Sequence, residues 1–124
     1  MPNINYRSAN LIIIWDYDGP IGRVNSSYPY NFSRQVLESE IENVDIISDT
    51  AKRVGIKMVF AVTGFSCEKT DSIFDIRSQI SGLSEQRHEV ASHSWKHEWF
   101  PHLNQTQASK SIERSMEIIH EVTG

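Results

Sequence analysis

The sequence predicts an α/β fold made of one parallel βαβαβα unit. Three observations carry that prediction. Short aliphatic or β-branched runs alternate with longer stretches of helical periodicity, in the order strand, helix, strand, helix, strand, helix. Gly and Pro fall at the breaks, at Gly19-Pro20, Gly55 and Gly64. The chain has 124 residues, enough for one domain (1–124) with a real core and too few for two. Alternation of this kind implies parallel strands with right-handed helical crossovers, and ligands in such architectures collect at the carboxyl ends of the strands.

The first strand is read over residues 11–16, where Leu11, Ile12, Ile13 and Ile14 form a buried run that continues into Trp15. Residues 21–33 mix Gly, Asn, Ser and Pro with Tyr28, Tyr30 and Phe32 and read as a long loop. Residues 33–54 are helical: Val36, Leu37, Ile41, Val44, Ile47, Ala51 and Val54 recur mostly three or four apart, and Gly55 ends the pattern. "IKMVFAVTG" (56–64) is a second strand, closed by Gly64, and residues 65–72 are a loop. A weaker helix spans 73–83, with Ile73, Ile76, Ile80 and Leu83 on one face, and "HEVAS" (88–92) is a short third strand. Asn104 with Gln107 three residues on resembles a capping box, opening a helix with Ala108, Ile112, Met116 and Ile119 on one stripe.

Hydrophobic content of 39% and charged content of 23% exclude a disordered chain. A net charge of −4 without a basic cluster argues against nucleic acid as a partner. The longest aliphatic run is far too short for a membrane span. The first fifteen residues lack the pattern of a signal peptide, and Cys67 is the single cysteine, so the expectation is a cytoplasmic domain without an intrachain disulfide. A three-stranded parallel sheet with an open edge predicts exposed apolar surface, and self-association or a partner chain over that edge.

Two stretches carry chemistry. In "WDYDGP" (15–20), Asp16 and Asp18 can point the same way if the strand continues that far, which suits a metal ligand plus a base; Asp before Gly is also ordinary turn chemistry. In "HSWKH" (93–97), a helical conformation would put His93 and His97 on one face, within reach of one cation; two exposed histidines would look the same. Asp18 from a neighbouring strand end would complete an Asp-His-His set with positions left open for water, the pattern of a catalytic site. Without cysteine ligands the ion could be zinc, cobalt, nickel, manganese or iron. Thr63 and Gly64 reach the same rim from the second strand.

In combination these stretches resemble the polysaccharide deacetylase family, the carbohydrate esterase family 4 or NodB-homology domain. "W-D-Y-D-G-P" is similar to the family's T-F-D-D-G-P and "H-S-W-K-H" to its H-[ST]-x-x-H. "IKMVFAVTGF" resembles K-A-T-F-F-V-x-G, "RHEVASHSWKH" resembles G-H-E-[IV]-x-x-H-[ST]-x-x-H, and the last helix resembles one that usually ends in I-T-G. The likeness covers roughly residues 10–124, in order, and is far more specific than either motif alone.

The resemblance implies the first half of a deformed (β/α) barrel, and a metal-dependent hydrolase that cleaves the non-peptide C–N bond of an N-acetylated carbohydrate. It implies Asp18, His93 and His97 as ligands of a divalent ion, zinc first among the candidates. The family's two acids are adjacent, whereas Tyr17 separates them here; on a D-x-D spacing Asp16 is the base. An N–H near residues 17–19 is the expected oxyanion donor. Tyr17, Tyr28 and Tyr30 are candidates for substrate contact. Ser94 is expected to brace the motif loop, His88 to be structural, His102 to be solvent-exposed, His120 to meet the helix dipole, and Trp95, Trp99 and Phe100 to pack. The family's general acid, a histidine in a late motif accompanied by arginine and tryptophan motifs, follows the helix that closes this sequence. The expectation is therefore a truncated deacetylase-like domain. Alternatives are a catalytically incomplete metal-binding domain, or an amidase of the same fold acting on a non-sugar amide.

Overall fold

The computed structural model describes residues 8–26 and 32–124. Three parallel strands, β1 (Ile14–Tyr17), β2 (Val59–Val62) and β3 (Glu89–Ser92), form one sheet in the order β1-β2-β3. Tyr17 pairs with Val62, and Val62 with Ser92, so all three strands end level. The next residue on each, Asp18, Thr63 and His93, therefore emerges side by side on one rim. Among the described residues four helices accompany the strands: α1 (Gly19–Ser26), α2 (Arg34–Val54), α3 (Arg77–Glu85) and α4 (Gln105–Thr123), with 3-10 turns at Gly64–Cys67 and Phe100–His102.

Helix ends follow local chemistry. Ser33 Oγ accepts from the Val36 N–H at 3.3 Å, and Gly55 closes α2 at φ 73°, a conformation that costs glycine least. Asn104 and Gln107 exchange side-chain and backbone hydrogen bonds as a capping box ahead of α4. The core lies between one sheet face and three helices. Tyr17, Phe60 and Val62 meet Val44 and Ala51 of α2, Ile80 and Leu83 of α3, and Ile119 of α4. Burying each large apolar side chain there contributes about 1.5–3 kcal/mol.

Several elements depart from the sequence expectation. β1 starts three residues later than the predicted 11–16, and Leu11 is 84% and Ile14 61% exposed. The run reads as buried on two faces, but Ile14 and Asp16 share the parity of Val59 and Glu89, which faces away from the helices, and β1 is an edge strand. The predicted loop at 21–33 contains most of α1, where Pro20 occupies the first turn and needs no N–H partner. Its Gly and Asn content hid the helix; Tyr28 and Tyr30 lie outside the described residues. α3 begins at Arg77 rather than 73. Asp75 folds a turn ahead of it, accepting the Arg77 N–H at 3.3 Å and the Arg77 guanidinium at 2.8 Å.

The stripe on α4 is also rotated. Ser111, Ser115 and Ile119 face inward, whereas Ile112 is exposed and Met116 is 60% exposed. Small residues are needed because the chain passes close: a Cβ on Gly64 would lie 2.7 Å from Ser115 Cα. No helix among the described residues is long and apolar enough to cross a membrane.

His88 is the buried polar anchor of this core. Its Nδ1 accepts the Met58 N–H at 3.0 Å, and its ring meets Phe60 edge-on at 5.1 Å. Burial, with Lys57 second, holds its pKa below the usual histidine value of 6.5. The neutral ring is the form that fits, because Nδ1 must accept. The unfolded chain therefore protonates first. The stability is complete above about pH 6.5 and is lost as pH falls through the lowered native value. Wild-type unfolding midpoints in urea should fall between about pH 7 and about pH 5 more steeply than those of His88→Asn, whose side-chain oxygen can take the same N–H. Parallel pH curves would remove His88 as the source.

Candidate metal centre

The rim is assembled from three strand ends and a turn. Asp18 follows β1, and its carbonyl accepts the Thr63 hydroxyl at 2.8 Å and the Gly22 N–H at 3.2 Å. Because Thr63 donates there, the Ser66 hydroxyl donates to Thr63, at 2.7 Å. Gly19 adopts φ +70° to let the chain turn from β1 into α1, and a Cβ on it would meet Ser66 Oγ at 2.7 Å. Gly22 lets α1 settle on the site: a Cβ there would lie 2.5 Å from Asp18 Cβ and 3.5 Å from His97 Cβ.

His93 follows β3, with its N–H on the Val62 carbonyl at 2.7 Å. The next residues form a turn rather than a helix. Ser94 and His97 have φ of 67° and 59°, left-handed values costing about 1–3 kcal/mol each for a non-glycine residue. The turn, rather than helical spacing, brings the two imidazoles to a centroid separation of 5.1 Å. The Gly64 and Phe65 N–H groups hold the Ser94 and Trp95 carbonyls, each at 2.9 Å, and Asn25 holds the Lys96 carbonyl at 2.9 Å.

The result is a convergence of electron-pair donors. Asp18 Oδ1 lies 3.1 Å from His93 Nε2 and 3.6 Å from His97 Nε2. One ligand atom from each of the three residues falls within 4.8 Å of the others. Asp18 Oδ1 is buried and has no hydrogen-bond partner, so neither imidazole donates to it despite the short distances. A buried carboxylate oxygen without a hydrogen bond faces two ring nitrogens, and these residues could hold a divalent cation. The three side chains are 28–35% exposed, which leaves one side of the cluster open to water.

The other expected residues are placed variously. Asp16 is exposed and shares a cleft of about 190 Å³ with Asp18, Gly19, Glu40 and Asn43. Tyr17 turns its side chain into the core and donates its hydroxyl to Gln79, so it meets the rim through its backbone. Burial, then Asp45 and Glu40, raise its pKa. A second cleft of about 420 Å³ is lined by His93, Ser94, His97, Glu98, Phe100 and Ile112. Trp95 packs, buried beneath the Arg114 guanidinium at 3.8 Å, but Trp99 does not: it is 70% exposed and stacked on His102. His102 and His120 stand outside the cluster, both exposed.

The sequence reading missed four contributors. Gly22 stands one helical turn beyond Asp18 and is readable once Pro20 is seen as a helix start. Glu40 pairs with Arg23 at 3.0 Å and ties α2 to α1; burial raises its carboxyl, Arg23 offsets this and Asp18 adds to it. Glu98 and Ser111 bond each other and the motif turn. Burial alone would raise the Glu98 carboxyl, but hydrogen bonds from backbone N–H groups, Ser111 and Ser94 hold it below the usual range.

The family model described as polysaccharide deacetylase matches residues 39–124, which include the two histidines and not Asp18. No curated protein matches the chain at a significant level. Among solved structures, the chain is similar to a "putative polysaccharide deacetylase" from Mycobacterium smegmatis, with a TM-score of 0.73 at 16% identity. That likeness takes in 91% of this chain and 39% of the other, so the chain spans well under half the length of that protein.

The close approach at Gly22 predicts an inverted substitution pattern. Gly→Ala inside a helix ordinarily stabilises by about 0.5–1 kcal/mol, and Gly82→Ala, whose added methyl meets nothing, should do so. Gly22→Ala should instead destabilise by about 1–3 kcal/mol in urea unfolding and shift the His97 ring resonances in NMR spectra. A stabilised Gly22→Ala with unmoved His97 resonances would show that α1 does not press on the site.

Proposed function

Because the chain belongs to the polysaccharide deacetylase family, we propose that it is a metal-dependent hydrolase that removes N-acetyl groups from a carbohydrate, with Asp18, His93 and His97 as the metal ligands. The observation that carries the metal is the buried, unpartnered Asp18 Oδ1 opposite two imidazole nitrogens. Zinc suits two histidines and one carboxylate, and the same donor set accepts cobalt, nickel, manganese or iron. An ion bound there acidifies a water molecule and polarises an acyl carbonyl.

The residues of the chain divide the remaining work. Asp16, exposed at the carboxyl end of β1, takes the proton as water oxygen attacks the acetyl carbon. An N–H in the turn at 17–19 donates to the oxyanion as the carbonyl becomes tetrahedral. Collapse breaks the C–N bond, giving acetate and an amine that must gain a proton. We assign that proton donor to no residue of this chain. A second reading is a metal-binding domain in which catalysis is incomplete.

Metal analysis separates these readings. The purified chain should carry about one divalent ion per molecule, and His93→Ala and His97→Ala should lose it while remaining folded. Unchanged metal content in both variants would overturn the ligand assignment. Acetate release from an N-acetylated oligosaccharide by the metal-loaded chain supports the hydrolase. Full metal occupancy without release supports the incomplete domain.

A further inference from the structure

We propose that Glu98 is a positioning residue for the metal centre: it holds the turn between His93 and His97 in the one conformation that aims both imidazoles at Asp18. The inference rests on the metal reading above. Glu98 stands outside the ligand cluster, so it acts through the turn and not on the ion.

The backbone accounting of the turn singles it out. The carbonyls of Ser94, Trp95 and Lys96 are all taken from the rim and α1, by Gly64, Phe65 and Asn25. The N–H groups between the histidines depend on a different support. Lys96 N–H donates to Glu98 Oε1 at 3.0 Å. Trp95 N–H donates to Ser111 Oγ at 3.0 Å, and the same hydroxyl donates to Glu98 Oε2 at 2.9 Å. One partly buried carboxylate and one buried hydroxyl on α4 thus pair two successive N–H groups. The residues they fix are flanked by Ser94 and His97, both in left-handed conformations that persist only where the surroundings over-determine them. Without the carboxylate, the Lys96 N–H is free and His97 can leave its left-handed conformation, carrying its ring away from Asp18.

The test titrates apo wild type, Glu98→Ala, Glu98→Gln and Ser111→Ala with cobalt(II), by calorimetry and by the visible ligand-field spectrum, alongside thermal unfolding of each apo chain. Supporting residues around a metal site typically govern affinity by about 10–100-fold, and Glu98→Ala and Ser111→Ala should weaken binding on that scale. Their saturated spectra should change in band position and intensity, because His97 no longer coordinates as in wild type. Glu98→Gln, which keeps an acceptor for Lys96, should lie closer to wild type on both measures. Wild-type affinity in Glu98→Ala overturns the proposal. So does weakened affinity with an unchanged saturated spectrum, which assigns Glu98 to general stability. Should Glu98→Ala not fold, the same two criteria apply to Ser111→Ala. A wild-type chain that takes up no cobalt overturns the metal reading itself and this inference with it, whereas wild-type uptake with unaltered variants overturns this inference alone.

Discussion

Asp18 Oδ1 is the atom on which the arrangement turns. It is buried, it accepts no hydrogen bond, and the groups nearest to it are two imidazole nitrogens. An unpaired buried carboxylate oxygen is costly, and natural structures seldom keep one without a cation or a donor. The surroundings are built to hold it there regardless. The Asp18 carbonyl is fastened by Thr63 and Gly22, Thr63 is fastened by Ser66, and two glycines clear the space that α1 and Ser66 need. On the proposed metal reading, preorganisation of this kind would mean that the three side chains need not be gathered when an ion arrives.

Strand register is what makes the geometry available. Because Tyr17, Val62 and Ser92 pair in line, the residues after them share a rim without any long loop. β1 brings a carboxylate, β2 a hydroxyl that acts as a strut, and β3 an imidazole. Only His97 must be brought back by a turn, and that turn carries the backbone strain of the site. The division is physically sensible: strands position cheaply, and the one ligand that no strand end can supply is held by side-chain hydrogen bonds from α4 and Glu98.

The strand-helix order, the parallel sheet and α2 with its caps at Ser33 and Gly55 were legible in the sequence, because hydrophobic period and capping chemistry agree there. The residues that converge at the rim were legible too, since motif spacing and strand ends pointed to the same place. What was not legible depended on distant partners. The HxxxH spacing would serve a helix, but the turn that carries Ser94 and His97 is held by Gly64, Phe65 and Ser111, none of them local. The inward face of α4 carries serines because Gly64 and Trp95 approach it closely, and no periodicity in α4 records that neighbour. α1 was lost among Gly and Asn residues whose role is close approach rather than looping.

The exposed apolar residues bear on the same division. Ile14 and Trp15 lie on β1, at one open edge of the sheet, while Ile112 and Met116 lie on α4, which contacts β3, the other edge strand. None of the hydrogen bonds that fix Asp18, His93 or His97 comes from these residues; they run among the strand ends, α1, the Gly64–Cys67 turn and α4. The Asp18–His93–His97 cluster is therefore internally braced, and its geometry does not require the apolar flanks to be covered. Asp16 is different. It sits on the exposed parity of edge strand β1, beside Ile14, and among the described residues no hydrogen bond orients its carboxylate. A base needs a defined position relative to the water it deprotonates. On the proposed function, contacts at the β1 edge would therefore bear on the proposed base, Asp16, while the proposed metal ligands are held by the braced rim.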